Sequence, residues 1–344
     1  MAEVIMNARV LLVPSNGQGR VAAEINRRLG LATVSPPASF ASGAKGHLWE
    51  QSVLPLRMRG RPLWSPSTSA PIIYRNQVVT VHDIGFVDAP QFFAPRFAEV
   101  YDFIVRRVSQ TARHLVTVSE FSRQRLIAHY GVAADRVTAI HLGVSDAFTV
   151  RPQSEIEAVL GPHGLGGGVP YLIAFSGSDP RKNTAGVLTA WSRLVGSRGD
   201  AKLVLFGRTS NANVFGATAA AIEERDVVRV GGVTDAELAC LFGGSRGLVF
   251  PSLYEGFGLP VIEAAASGAP VLTSNSTSLP EVAPAGTVLV DPTDIDAITD
   301  GMAALLGAAP NTIARVRSAE AIRRRFSWDA TADAYRALFA RSFD

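Results

Sequence analysis

The sequence predicts an α/β chain made of two doubly wound domains, each a parallel sheet with helices on both faces. Three observations carry this. The chain has 344 residues, enough for two hydrophobic cores of ordinary domain size. Short apolar runs alternate with stretches at helical period almost from end to end, which is the pattern of βαβ units. The alternation breaks at 161–170, where five glycines and two prolines fall within ten residues.

Taken in order, the first block reads as strands at 8–13, 78–81, 114–118 and 137–141, where apolar residues run together between turn signals. Helices are read at 19–29, 97–111 and 120–129, the last with Ser119 as its N-cap. The boundary is placed after Arg151-Pro152, giving domains at 1–152 and 153–327. The second block reads as strand 171–175, helix 183–195, strand 202–206, helix 217–224, strand 227–230 and helix 235–242. It continues as strand 247–251, helix 259–266, strands 270–274 and 287–290, and helix 294–306. A closing segment at 327–343 repeats Trp328, Ala332, Tyr335, Leu338 and Phe339 at helical spacing and reads as an amphipathic helix.

Bulk composition excludes several classes. Apolar residues at 47% and charged residues at 18% mark a globular chain rather than a disordered one. A single cysteine, Cys240, allows no internal disulfide and suits a reducing compartment. The N-terminus lacks the basic start and apolar core of a signal peptide, and no apolar run approaches the roughly 20 residues that span a bilayer. The expectation is a cytoplasmic protein.

Charge is uneven: residues 1–150 hold 16 Lys and Arg against ten Asp and Glu, and the remainder holds 17 against 20. Arg57, Arg59 and Arg61, beside Leu54, Leu56, Met58 and Trp64, therefore read either as a solvated loop or as a contact with the anionic inner face of the plasma membrane. The arginines are scattered without an aromatic-rich binding motif, so nucleic acid is not expected as a partner.

The segment richest in chemistry runs Val249-Phe-Pro-Ser-Leu-Tyr-Glu255-Gly-Phe-Gly-Leu-Pro260-Val-Ile-Glu263-Ala264. A strand gives way to a glycine-bearing loop, and Pro260 opens a helix where its missing N–H costs nothing. The amides of Gly256, Phe257, Gly258 and Leu259 can then face an anion, with the helix dipole favouring a diphosphate. Glu255 in the loop and Glu263 in the first helical turn can accept from ligand hydroxyls; read singly, each is as well explained by loop solvation or helix N-terminal electrostatics.

A second segment, Phe175-Ser-Gly-Ser-Asp-Pro-Arg181-Lys182-Asn183, places two cations in a strand-to-helix loop, where they suit a diphosphate leaving group whose charge must be neutralised. A third, Gly17-Gln-Gly19-Arg20-Val-Ala22, is a weak dinucleotide fingerprint. The acidic ribose ligand that should follow about 20 residues later is missing from 34–42, so nicotinamide binding is disfavoured. Val79-Thr-Val-His82-Asp83 delivers a polar pair at a strand end. Asp294-Ile-Asp296 has the acid-x-acid spacing of a metal site, but its position at a helix start reads as capping, and no Cys/His cluster offers a metal site.

Glu255 and Glu263, eight apart and enclosing Gly-Phe-Gly-Leu-Pro, resemble the paired-glutamate signature of the family-four retaining glycosyltransferases. The resemblance spans most of residues 8–340 and is most specific at 171–281. It implies the GT-B fold, two facing Rossmann-like domains with the helix at about 328–344 crossing back to complete the first. It implies an acceptor-binding first domain and a nucleotide-sugar-binding second domain, with no cofactor beyond the nucleotide-diphosphate sugar and no metal.

By the same resemblance Glu255 holds the transferred sugar, Glu263 the ribose, and Lys182 with Arg181 the pyrophosphate. Ser178 stands where many members carry arginine. His82 corresponds to a sugar contact, Gly17 and Gly19 to the glycine turn over the donor phosphates, Arg208 to a donor-cleft residue, and Gly232 and Val233 to main-chain base contacts. Arg20 and Asp83 are assigned to the acceptor. His47-Leu-Trp-Glu50-Gln51 with His82-Asp83 most resembles bacterial mannosyltransferases of surface polysaccharide and lipopolysaccharide assembly, implying GDP-mannose as donor and a glycan or lipid-diphosphate-linked acceptor. The alternatives are a UDP-glucose donor, a glycoside phosphorylase, and a non-catalytic nucleotide-sugar-binding protein.

Overall fold

The structure, a computed structural model, describes residues 3–13, 17–207, 226–308 and 312–343. Two compact units are present: Met1–Pro90 with Pro95–Gly143 and Ser327–Asp344, and Gln91–Ala94 with Val144–Phe326. The second unit thus begins a few residues before the Arg151-Pro152 boundary read from composition, because the chain from Val144 already packs with it: the Val144 N–H donates to the Phe326 carbonyl at 3.0 Å.

The first unit holds strands β1 (Ile5–Asn7), β2 (Ala32–Val34), β3 (Leu63–Ser65), β4 (Gln77–Thr80), β5 (His114–Thr117) and β6 (Val137–Ala139). They pair in the order β2-β1-β3-β4-β5-β6, parallel throughout. The strand expected at 8–13 is a correction: the strand is Ile5–Asn7, and Ala8–Leu12 forms a 3-10 turn. The Asn7 side chain accepts from the Arg9 N–H at 3.2 Å, diverting the backbone from the ladder. β2 and β3 escape a periodicity reading because three residues carry too little pattern.

The expected helices are Gly17–Leu29, Pro95–Thr111 and Glu120–Tyr130. Ser119 caps the last by accepting from the Ser122 N–H at 3.1 Å. The closing helix, Trp328–Phe343, buries Trp328, Ala332, Tyr335, Leu338 and Phe339, all five residues of its apolar repeat. Trp64, fully buried, packs against Tyr335 and Phe339 with centroids 5.2 and 5.8 Å away, and the Tyr335 hydroxyl meets Thr80 Oγ1 at 2.9 Å.

The second unit holds β7 (Tyr171–Phe175), β8 (Lys202–Phe206), β9 (Val227–Val230), β10 (Gly247–Phe250), β11 (Val271–Ser274) and β12 (Val288–Val290). Their order is β12-β11-β10-β7-β8-β9, again all parallel. One face of this sheet is sealed by Trp191, Leu188, Ile298 and Met302 against Leu172, Leu203, Leu205, Val249 and Leu272. Helix Thr312–Arg325 was not anticipated, since its strongly basic sequence buries only Ala319 and Ile322. The helix read at 217–224 lies outside the described residues.

Strand order in the second unit marks where a candidate site would lie. From β7 the chain moves outward through β8 to β9, then returns to the other side of β7 with β10. Order therefore reverses between β7 and β10, and ligands in open parallel sheets bind beyond the carboxyl ends of the strands at such a switch.

Candidate functional site

The loop after β7 leads through a single 3-10 turn, Pro180–Lys182, into helix Thr184–Arg193. Asp179 starts the turn by accepting from the Arg181 N–H at 3.0 Å, and both its oxygens also hold the Arg181 guanidinium, at 2.8 to 3.2 Å. Asn183 takes a left-handed conformation, φ 56°, that turns the chain into the helix. Its amide donates to the carbonyls of Pro251 and Pro292 at 3.1 and 2.7 Å, tying this loop to the end of β10.

The loop after β10 is fastened to the same place. The Leu253 N–H and the Ser252 hydroxyl both donate to the Arg181 carbonyl, at 2.7 and 2.8 Å. The Ser278 hydroxyl reaches the carbonyls of Glu255 and Phe257 at 2.9 and 3.1 Å, bracing the turn from the far side. Gly258 carries φ 105°, a conformation that residues with a side chain rarely adopt, and a Cβ there would lie 2.6 Å from Leu279 Cδ2. Helix Leu259–Ala266 follows with Pro260 in its first turn, and the first amides of such a helix lack intrahelical acceptors.

Lys182 and Glu255, 73 residues apart, meet here: Nζ donates to Oε1 at 2.6 Å, with side chains 16% and 11% exposed. The ammonium also lies 5.5 Å from the Phe175 ring centroid and 5.3 Å from that of Phe250. Glu263 is buried on the same helix, but at its fifth position rather than in the first turn as expected. A carboxylate one turn further in gains less from the helix dipole, which falls off within the first turn.

Gly232 and Val233 stand after β9, at the edge carrying the carboxyl ends of β7 and β10. They lead into the capping box of Thr234 and Glu237, and Gly232 has φ 73°. Arg208 lies outside the described residues. Asp294 caps helix Ile295–Gly307 through the Ala297 N–H at 3.0 Å, and Asp296 pairs with Arg193, so this acid pair is structural. Cys240 is buried, and burial pushes its thiol up, away from the reactive thiolate.

In the first unit, His82 follows β4 and is buried, its Nε2 bonded to the Pro66 carbonyl at 3.0 Å. Burial holds its pKa below the usual histidine value, so the ring is neutral and donates Nε2–H. Asp83 accepts from the Gly85 N–H at 2.8 Å, a turn-forming bond. Gly17 opens its helix at an exposed position, Gly19 is buried in its first turn, and Arg20 is half-buried beside it.

Sequence reasoning missed two groups. Asp179 was not singled out, though an acid two residues before Arg181 and followed by proline is an Asx-turn signal. In the first unit a buried cluster centres on Glu50, fully buried, which accepts from Asn7 Nδ2 at 2.8 Å, from Arg9 at 3.2 and 3.3 Å, and from the Ser69 hydroxyl. His47 joins it through Ser69 Oγ at 3.3 Å. His47 and Glu50 were noted as motif residues; their partner Arg9 is more than 40 residues from Glu50, a separation no local pattern reveals.

Comparison with known proteins adds to this geometry. The model of the family described as Glycosyl transferases group 1 matches residues 161–324, and that described as Glycosyltransferase Family 4 matches residues 61–148. O-antigen chain mannosyltransferase B of Escherichia coli is 31% identical over 281 residues, 79% of this chain and 73% of the relative. O-antigen chain mannosyltransferase RfbU of Salmonella typhimurium is 27% identical over 223 residues, 64% of this chain and 58% of the relative. Among solved structures, Anabaena HepE in complex with UDP and glucose superposes with a TM-score of 0.76 at 14% identity, covering 99% of this chain and all of that one.

Proposed function

From the premise that this chain belongs to the group 1, family-four glycosyltransferases and has their GT-B fold, we propose that it transfers mannose from GDP-mannose, with retention, onto a glycan or lipid-diphosphate-linked acceptor in surface polysaccharide synthesis. Glycosyl transfer itself follows from the family; donor, acceptor and residue roles are the proposal. The observation that carries it is the meeting of Lys182 with Glu255 at the switch between β7 and β10, beside the amide-rich turn that opens helix Leu259–Ala266. Mannose is favoured by the two O-antigen relatives, both mannosyltransferases by name.

In this reading the amides of Gly256, Phe257, Gly258 and Leu259 and the cations of Lys182 and Arg181 receive the diphosphate. Glu263 accepts from the ribose, Gly232 and Val233 contact the base, and Glu255 contacts the sugar. As the sugar–phosphate bond breaks, positive charge grows on the sugar and negative charge on the departing diphosphate; Lys182 and the helix N-terminus stabilise the latter. The acceptor hydroxyl attacks from the face the diphosphate leaves and gives its proton to a phosphate oxygen, so no protein base is required. In the first unit, Arg20 and Asp83 take the acceptor.

Incubation of the purified chain with GDP-mannose, UDP-glucose or either donor plus inorganic phosphate tests the reading. Release of GDP with transfer to a lipid-diphosphate glycan is expected. Turnover of UDP-glucose alone would move the donor assignment, phosphate-dependent sugar phosphate would indicate a phosphorylase, and binding without any turnover would remove catalysis.

Contact with an anionic membrane belongs to the same proposal. No helix among the described residues is long and apolar enough to cross a membrane. Helix Leu54–Met58, however, presents Leu56 at 76% exposure, with exposed Val53 and Arg57, Arg59 and Arg61 alongside. Apolar tips ringed by arginines suit a phosphatidylglycerol surface. Flotation with such vesicles is expected to carry the wild-type chain, and a Leu56→Asp chain that floats equally would remove this contact.

A further inference from the structure

We propose that Glu255 is the resident counter-ion of Lys182, that an incoming diphosphate displaces it, and that its return helps expel the nucleoside diphosphate once the sugar has gone. The inference rests on the reading of these loops as a diphosphate site and extends it to how substrate is told from product.

The Nζ–Oε1 contact of 2.6 Å joins two side chains that are each largely shielded from solvent. A charge-assisted bond in such surroundings is stronger than a surface pair, and each charge is poorly screened if the other leaves. The Phe175 and Phe250 rings near Nζ can attract the ammonium, but they do not replace a carboxylate as acceptor. Without ligand, then, Lys182 is already neutralised. A diphosphate that claims it brings negative charge towards Glu255, and like charges at this range repel.

Binding is therefore an exchange. Lys182 passes from carboxylate to phosphate, and Glu255 is released. The freed carboxylate finds new donors only when the ligand carries sugar hydroxyls. An intact sugar nucleotide supplies them. A bare nucleoside diphosphate leaves Glu255 shielded and unpaired, a costly state for a charge. After transfer the sugar is gone, and the carboxylate competes again for Lys182.

Inorganic pyrophosphate probes the exchange without base or sugar. Calorimetric titration of the full chain, its Glu255→Gln and Lys182→Ala variants and the double variant forms a thermodynamic cycle. Glu255→Gln is expected to bind pyrophosphate roughly tenfold more tightly than wild type, the scale set by freeing one shielded ion-pair partner. The gain should vanish in the Lys182→Ala background, and GDP should behave like pyrophosphate. Glu255→Ala, which removes the same charge, gives a second reading in the same direction should the glutamine variant misfold. If Glu255→Gln binds no more tightly while Lys182→Ala binds more weakly, the clamp stands and the counter-ion role is overturned. A gain that persists without Lys182 also overturns it, as a general field effect. If Lys182→Ala binds pyrophosphate like wild type, the diphosphate assignment itself fails, and this inference with it.

Discussion

Glu263 shows what a single buried carboxylate can be asked. It sits inside helix Leu259–Ala266 with 7% exposure, and the ribose role assigned to it demands a nucleotide-specific effect. Glu263→Ala is expected to weaken GDP binding roughly tenfold, the scale of one charge-assisted bond of ~1.5 kcal/mol, while leaving pyrophosphate binding unchanged. Equal weakening of both ligands in calorimetry would assign Glu263 to the turn rather than to the ribose.

The histidines supply a second residue-scale expectation. Burial lowers the pKa of His82, and burial with the charges of Arg341 and Arg136 lowers that of His114 to about 4. A group whose pKa is lower folded than unfolded stabilises the fold above its unfolded value and loses that contribution as pH falls. Melting temperature should therefore decline from about pH 6.5 towards pH 4, the window set by an ordinary histidine and by His114. In the His114→Gln variant the slope should be shallower; an unchanged slope would place the titration elsewhere.

At the scale of elements, the turn between β10 and its helix is braced by hydrogen bonds from the Ser252 and Ser278 hydroxyls. Gly258 combines a left-handed φ with a close approach to Leu279, so Gly258→Ala carries both backbone strain and a clash. A loss of about 1 to 3 kcal/mol in urea unfolding is expected, with transfer falling further than stability because the amides would no longer converge. Ser119→Ala provides the contrast: loss of its cap should cost about 1 kcal/mol and leave nucleotide affinity intact.

Elements were legible in unequal degree. Tyr171–Phe175, Lys202–Phe206, Val227–Val230 and Leu259–Ala266 were read to the residue, because each apolar run is bounded by glycine, proline or polar turn signals. Ile5–Asn7 was misplaced because the longer apolar run, Val10-Leu-Leu-Val13, lies just after it, while the switch to a 3-10 turn is set by a side-chain bond from Asn7.

For the molecule as a whole, chain connectivity crosses the division into units. The closing helix lies at the C-terminus of the sequence yet belongs to the first unit. There Arg28 holds Asp329 at 2.6 Å and the Thr331 hydroxyl reaches the His141 carbonyl at 2.8 Å. Gly143 lets this helix in: a Cβ there would lie 2.3 Å from the Trp328 backbone nitrogen. Trp328→Ala is expected to destabilise the first unit by about 3 to 5 kcal/mol. In calorimetry the transition that moves should be the one GDP shifts less, since most of the donor contacts proposed above belong to the second unit. Loss of the GDP-dependent transition instead would place Trp328 in the donor-binding unit's stability.

What the sequence determined by itself was local. The alternation of apolar runs and helical stretches set the fold class, and the glycine-bearing loop with its flanking glutamates, together with the Arg-Lys pair, marked the loops that carry chemistry. Only the tertiary structure decided which of these meet. Strand order reverses between β7 and β10, and that reversal brings residues 182 and 255 within one hydrogen bond. In the first unit the fold likewise buries Arg9 against Glu50, 41 residues away along the chain. Pairing of charges is a matter of distance in space and shielding from water, and neither is written in the spacing of residues along a chain.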